Sequence, residues 1–179
     1  MNNSTKAVSN QVMQRSALRA AADHPNRWAD RRMDKNAILT DLSESDRTML
    51  GRVGFDQQPP EQQVFSAIWE LESQVNNGGF AQFFSSADGD SANSALRALR
   101  TIGAHACADS VERALRVVSP HALPREQSLR EDLVDQLGAD AEAALEMLDQ
   151  EFFAYPDNLT DLLFNYVRAQ PHVFGRVER

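Results

Sequence analysis

Apolar residues that recur three and four positions apart are the feature that most restricts how this chain can fold. Val64, Phe65, Ile68, Leu71 and Val75 sit at that spacing, which gathers them on one face of a helix with Glu72 at its margin. Ala92, Ala95, Leu96, Leu99 and Ile102 repeat the pattern, as do Cys107, Val111, Ala114, Leu115 and Val118. No stretch alternates apolar and polar residues between hairpin turns, which argues against sheet. The expectation is an all-α protein: a compact multi-helix domain with short connections that favour antiparallel neighbours, and an N-terminal helical extension. At 179 residues and 42% hydrophobic content, the chain suffices for one substantial core.

Glycine and proline punctuate the pattern. Pro60 suits the first turn of a helix, where its missing N–H costs nothing. Gly78-Gly79 stops that helix, Asp88-Gly89-Asp90 reads as a loop, and Gly103 reads as a helix C-terminal glycine. Further helices are predicted over about 125–137, 140–154 and 159–169, divided by Gly138 and by Pro156-Asp157-Asn158. Upstream, Val8, Val12, Met13 and Leu18 predict a helix ended by Pro25, a second spans 28–42, and Ser43 with Asp46 opens a short one reaching 53. Gln57-Gln58-Pro59-Pro60 is the clearest linker. It separates an extension, residues 1–58, from a main domain, residues 59–172.

Charge is distributed unevenly. Residues 1–60 carry nine basic and seven acidic side chains, whereas residues 61–179 carry nine and nineteen. From Glu131 to Val167 there are ten carboxylates and no Lys or Arg: Glu131, Asp132, Asp135, Asp140, Glu142, Glu146, Asp149, Glu151, Asp157 and Asp161. Like charges a helical turn apart repel by a few tenths of a kcal/mol per pair, so a one-sign run points to a partner of opposite sign. Glu142, Glu146 and Asp149 form a stripe beside the apolar Ala141, Leu145, Leu148 and Phe152, which predicts an exposed row. One such row carries a charge per about 5 to 6 Å, whereas duplex DNA carries one per about 1.7 Å of axis. Adding Glu131, Asp132 and Asp135, and the same residues from a second subunit, brings the density closer. The plainer alternative is a solvated face that aids solubility.

Other functions find little support. Cys107 is the only cysteine, so no intrachain disulfide forms. It lies two residues from His105, which predicts a core thiol and a surface imidazole rather than a paired site. The four histidines are scattered without a metal-ligand spacing, and no nucleophile motif is present, so neither enzyme nor cofactor is expected. Arg97, Arg100, Arg113 and Arg116 spread over two helices. Asp109 with Arg113 and Glu112 with Arg116 have the spacing of surface pairs, so direct nucleic-acid binding is not expected. No apolar run spans a bilayer and no secretory signal is seen. Lys6, Arg15 and Arg19, without an acid over residues 1–22, faintly resemble a transit peptide, but an ordinary amphipathic helix accounts for them. A cytoplasmic protein is expected.

The densest local signal is Val75-Asn76-Asn77-Gly78-Gly79-Phe80-Ala81-Gln82-Phe83-Phe84. It reads as a helix end joined to a tight reversal, with Asn and Gly supplying the left-handed backbone and the phenylalanines anchoring the next segment. Preceded by Trp69-Glu70-Leu71-Glu72 and followed by Ala95-Leu96, Ile102-Gly103-Ala104, Leu148-Asp149, Phe152-Phe153 and the segment 162–166, it resembles the DNA-mimic family typified by the neisserial DMP-nineteen protein. The resemblance covers about residues 60–170. It implies an all-helical, often dimeric protein whose acidic surface imitates duplex DNA and occupies a basic DNA-binding protein such as a helix-turn-helix repressor. The candidate partner-binding residues are Glu131, Asp132, Asp135, Glu142, Glu146 and Asp149. Asn76, Asn77, Gly78, Gly79, Phe80, Gln82 and Phe83 are the family motif, read as structural. Two other readings stand beside it: an immunity or regulatory module that recognises one protein by shape, and a small-ligand site at Gly78-Gly79-Phe80 with Asn76 and Gln82 as polar contacts.

Overall fold

The computed structural model describes residues 34–50 and 52–177. Among the described residues there are eight α-helices and no strand. They are α1 (Lys35–Glu44), α2 (Pro60–Ser85), α3 (Ala92–Ile102), α4 (His105–Val118), α5 (Gln127–Asp135), α6 (Ala139–Phe153), α7 (Leu159–Arg168) and α8 (Pro171–Phe174), with short 3-10 turns at Phe55–Gln57 and Ala87–Ser91. The all-α reading of the sequence holds. The helix predicted over 8–25, and residues 28–33 of the next, lie outside the described residues.

α2 is the axis of the fold. It opens with Pro60 in its first turn and packs against α3, α5, α6 and α7. Residues 65–68 and 71–75 are all buried, so this helix is enclosed all round rather than on one face. Glu72, expected at the margin, is therefore inside the protein. Phe65, Phe80, Phe83 and Phe84 have no exposed surface, and burying each side chain contributes about 2 to 3 kcal/mol.

α3 and α4 follow the sequence closely. Ala95, Leu99, Cys107, Val111 and Ala114 are buried, and Gly103 makes the turn between the helices in the left-handed region at φ 85°. There the Ala104 N–H donates to the Leu99 carbonyl at 2.9 Å, closing the end of α3. α4 begins without a side chain of its own as cap.

Elsewhere tertiary contacts override the local signals. Among the described residues α1 runs from Lys35, where Asp34 caps it by accepting from the Ala37 N–H at 3.1 Å. The helix predicted to open at Ser43 does not form. Ser43 lies inside α1 and donates back to the Thr40 carbonyl, while the Met49 N–H is taken by the Gln62 side chain of α2 at 2.7 Å. α5 stops at Asp135, two residues short of expectation, and α8 is an addition. Its Phe174 is buried against Phe65 and Tyr166, with ring centroids 5.9 and 6.4 Å apart. α1 packs on α7 and buries Leu39 and Leu42, so the described residues before the linker share the core.

Candidate functional site

The Gly78-Gly79 pair breaks α2 without reversing it. Gly78 (φ −167°, ψ 25°) and Gly79 (φ 76°, ψ −173°) leave helical geometry, and the chain then resumes as a helix from Phe80. The expected tight reversal is thus a kink. Gly79 occupies a conformation essentially restricted to glycine, and the second arm needs a new cap for its N-terminus. Asp149 of α6 supplies it: its Oδ1 accepts from the Phe80 N–H at 2.7 Å. A Cβ on Gly79 would meet that carboxylate, with the Asp149 Cγ only 2.7 Å away. The two glycine requirements are therefore separate, one of backbone angle and one of space.

The amides of the motif are also engaged. Asn76 Oδ1 accepts from the Tyr155 hydroxyl at 3.1 Å. Gln82 Nε2 donates to Gln74 Oε1 at 3.3 Å, and Gln74 Nε2 donates to Asp88 at 2.6 Å. Asn77 and Gln82 are exposed, whereas Phe80 and Phe83 are buried. Phe80 stacks on Phe84 and meets Phe152 edge-on.

The ten carboxylates from Glu131 onward divide into two groups. Asp149 is half-buried as the Phe80 cap; burial pushes its carboxyl above the usual range, the Phe80 N–H draws it down, and Glu146 nearby adds to the rise. The row expected from Glu142, Glu146 and Asp149 is thus cut at its last member. Glu151 forms a two-pronged pair with Arg113 at 2.6 and 3.0 Å, so Arg113 bonds across to α6 rather than to Asp109. Asp157 accepts from the Cys107 N–H at 2.8 Å and caps α4. Asp161 binds Lys35 at 2.8 Å.

The other six behave differently. Glu131, Asp132, Asp135, Asp140, Glu142 and Glu146 are all exposed, and among the described residues none has a Lys or Arg partner. Glu131 accepts only from the neutral Gln127 side chain at 2.9 Å. They lie on α5 and the first half of α6, two helices joined by residues 136–138 and both packed on α2. Asp140 and Glu142 occupy the first turn of α6, where the helix dipole stabilises negative charge.

With this arrangement in view, the comparison with known families is decisive. The model of the DMP19-like protein family matches residues 56–170. The chain belongs to the DMP19-like family. Comparison with curated proteins and with solved structures finds no match. The family match takes in the whole of the kinked α2, its Asp149 cap and all six unpaired carboxylates of this DMP19-like chain.

Three further residues of the family region are enclosed where their charge alone does not indicate it. Arg130 is 1% exposed. Its Nε donates to the Phe84 carbonyl at 2.8 Å, and its other nitrogens donate to the carbonyls of Ser86 at 2.7 Å, Pro124 at 3.2 Å and Arg125. It thereby closes the C-terminal end of α2, where free carbonyls are left over. The signal was present: Arg130, Leu133, Val134 and Leu137 follow helical spacing, and all four lie inward. Glu70 and Glu72 are the others. Burial, reinforced by Asp88 and Asp90 and opposed by Ser91, pushes Glu70 up to about 8, and burial alone pushes Glu72 up to about 7.

As expected, Cys107 is buried and His105 exposed. Burial pushes the Cys107 thiol up to about 12, which leaves it protonated and unreactive. Among the described residues no group of three or more His, Cys, Asp or Glu is arranged to hold a metal ion. No helix among them is long and apolar enough to cross a membrane.

Proposed function

We propose that this protein is a non-enzymatic interaction module that offers the carboxylates of α5 and α6 to a basic DNA-binding protein in place of DNA phosphates. One observation carries the reading. In a DMP19-like chain, four carboxylates of the acidic run are spent on caps and ion pairs, while the six at Glu131, Asp132, Asp135, Asp140, Glu142 and Glu146 stay exposed with no Lys or Arg partner among the described residues. Structural need accounts for the first group and leaves the second to face a partner. Asp149, grouped with that face on sequence grounds, acts instead as a cap.

In this reading the protein works in the cytoplasm as a homodimer, because a second copy doubles a charge row too sparse alone to match a duplex. It binds no nucleic acid itself and needs no cofactor. Its partner is of the helix-turn-helix repressor kind, with a basic face shaped for phosphates. The test is capture from a cell extract by the wild-type chain and by Glu142→Lys with Glu146→Lys. Both side chains are exposed and form no ion pair among the described residues, so the variant keeps the fold, verified by circular dichroism. Loss of captured DNA-binding proteins is expected; undiminished capture overturns the proposal.

Met147 supports a second reading, recognition of one protein partner by shape. It sits beside Glu146 on α6 and is 66% exposed, the most exposed large hydrophobic side chain among the described residues. Under that reading Met147→Ala weakens capture more than the charge reversal does, and salt has little effect.

A further inference from the structure

The turn Ala87–Ser91 joins α2 to α3 and lies against both α2 and α5. Gly89 and Ser91 are buried in it, and a Cβ on Gly89 would meet the Phe84 and Phe83 carbonyls and Arg130 Nε at 2.6 to 2.9 Å. The turn is thus pressed on the closed end of α2 with no room to spare. Asp88 is tied down by Gln74 Nε2 at 2.6 Å, and the Gly89 N–H donates to the Ser86 carbonyl at 3.1 Å.

Beneath it, on α2, stands Glu70. Its Oε2 is fully enclosed and has no hydrogen-bond partner among the described residues. The charged groups acting on this place are one-sided. Asp88 and Asp90 of the turn raise the energy of a charge on Glu70, and only the Ser91 hydroxyl favours it. Arg130 of α5 acts on Asp90, as does Asp56 of the Phe55–Gln57 turn. Arg130, however, donates to four carbonyls, and Arg125 is paired with Asp56. No cation among the described residues bonds to Glu70.

We propose that the Ala87–Ser91 turn is a pH-sensitive latch, closed while Glu70 is neutral and released when Glu70 ionises opposite Asp88 and Asp90. A neutral carboxyl tolerates the enclosed Oε2, whereas a carboxylate there has no bonded counter-charge among the described residues and only the Ser91 hydroxyl to favour it. Moving the turn outward admits water to Glu70 and separates it from both aspartates. The position of Glu70 in the range of about 8 places the change near neutral to mildly alkaline pH. Because Arg130 holds the Phe84 and Ser86 carbonyls from α5, release also loosens the helix that carries Glu131, Asp132 and Asp135. That last consequence rests on the proposed mimic reading; the latch itself does not.

Amide hydrogen exchange on the full chain, with rates corrected for the intrinsic effect of pH, tests the latch. Protection of the Gly89 amide is expected to fall at least about tenfold from about pH 6 to about pH 9, since opening is linked to release of one proton. In Glu70→Gln it should stay level across the same range. An equal pH response in Glu70→Gln, or none in wild type, overturns the proposal. Carbon-13 detection of the Glu70 carboxyl in the wild-type chain gives a measurement that needs no variant. A midpoint above about 6.5 supports the latch, and anything lower, in the direction of the ordinary carboxylate near 4.3, overturns it. Neither readout involves a partner, so failure of the latch and failure of the mimic reading are distinguishable.

Discussion

Replacing Gly79 by alanine perturbs the kink of α2 in two ways that can be separated. The first is backbone strain: φ 76° with ψ −173° is a glycine conformation, and holding another residue there costs on the order of 1 to 3 kcal/mol. The second is displacement of Asp149, because the new Cβ would stand 2.7 Å from its Cγ. Moving the carboxylate breaks its 2.7 Å bond from the Phe80 N–H, and losing a helix cap costs about 1 to 2 kcal/mol. Together these give a destabilisation of about 3 kcal/mol, or a fall in Tm of roughly 10 °C for a chain of this size. Urea unfolding followed by circular dichroism measures it. In an Asp149→Ala background both the clash and the cap are already gone, so Gly79→Ala should cost only the strain. A coupling of about 1 to 2 kcal/mol between the two sites is expected from the double-mutant cycle. Strict additivity, or a loss below about 1 kcal/mol for Gly79→Ala, would show that Gly79 and Asp149 do not act together at the kink.

Three other outcomes follow from the buried groups. Glu72 binds its proton more tightly folded than unfolded, so its contribution is present below about pH 4.5 and is lost as pH rises towards about 7; Glu72→Gln should remove that slope and gain about 3 kcal/mol at pH 8 in urea titrations. Arg130→Met removes the side-chain donor of the Phe84, Pro124 and Arg125 carbonyls and leaves the Ser86 carbonyl only the Gly89 N–H, so it should destabilise by about 3 kcal/mol or more in the same assay, and Arg130→Lys should not restore it, because one ammonium cannot reach the separate carbonyls that a planar fork spans. The Cys107 thiol should react with a disulfide reagent only as fast as the chain opens, and quickly once urea unfolds it; fast labelling of the folded protein would contradict its burial.

The sequence reveals most where neighbours along the chain decide the outcome. The faces of α3 and α4, the start of α2 at Pro60 and the turn at Gly103 all rest on spacing or on one residue's backbone preference, and each is present in the fold. The family motif was legible for the same reason, being contiguous. Contacts between distant residues were not. Asp149 and Phe80 are 69 positions apart, Asp157 and Cys107 are 50 apart, and Lys35 and Asp161 are 126 apart. In sequence these carboxylates are indistinguishable from Glu142 or Asp135, and only packing separates the spent charges from the unspent ones. Ser43 shows the converse: a local helix-start pattern loses when Gln62 offers the Met49 N–H a better partner.

In the proposed function, the six exposed carboxylates on α5 and α6 take the place of DNA phosphates before a basic partner. The most direct test of that role is capture of a DNA-binding protein by the immobilised chain, measured against rising salt and against added duplex DNA. Ion-pair contact between an acidic row and a phosphate-binding face predicts steep loss of capture with salt and displacement by the duplex. Capture that resists both salt and DNA would overturn that role for the six carboxylates.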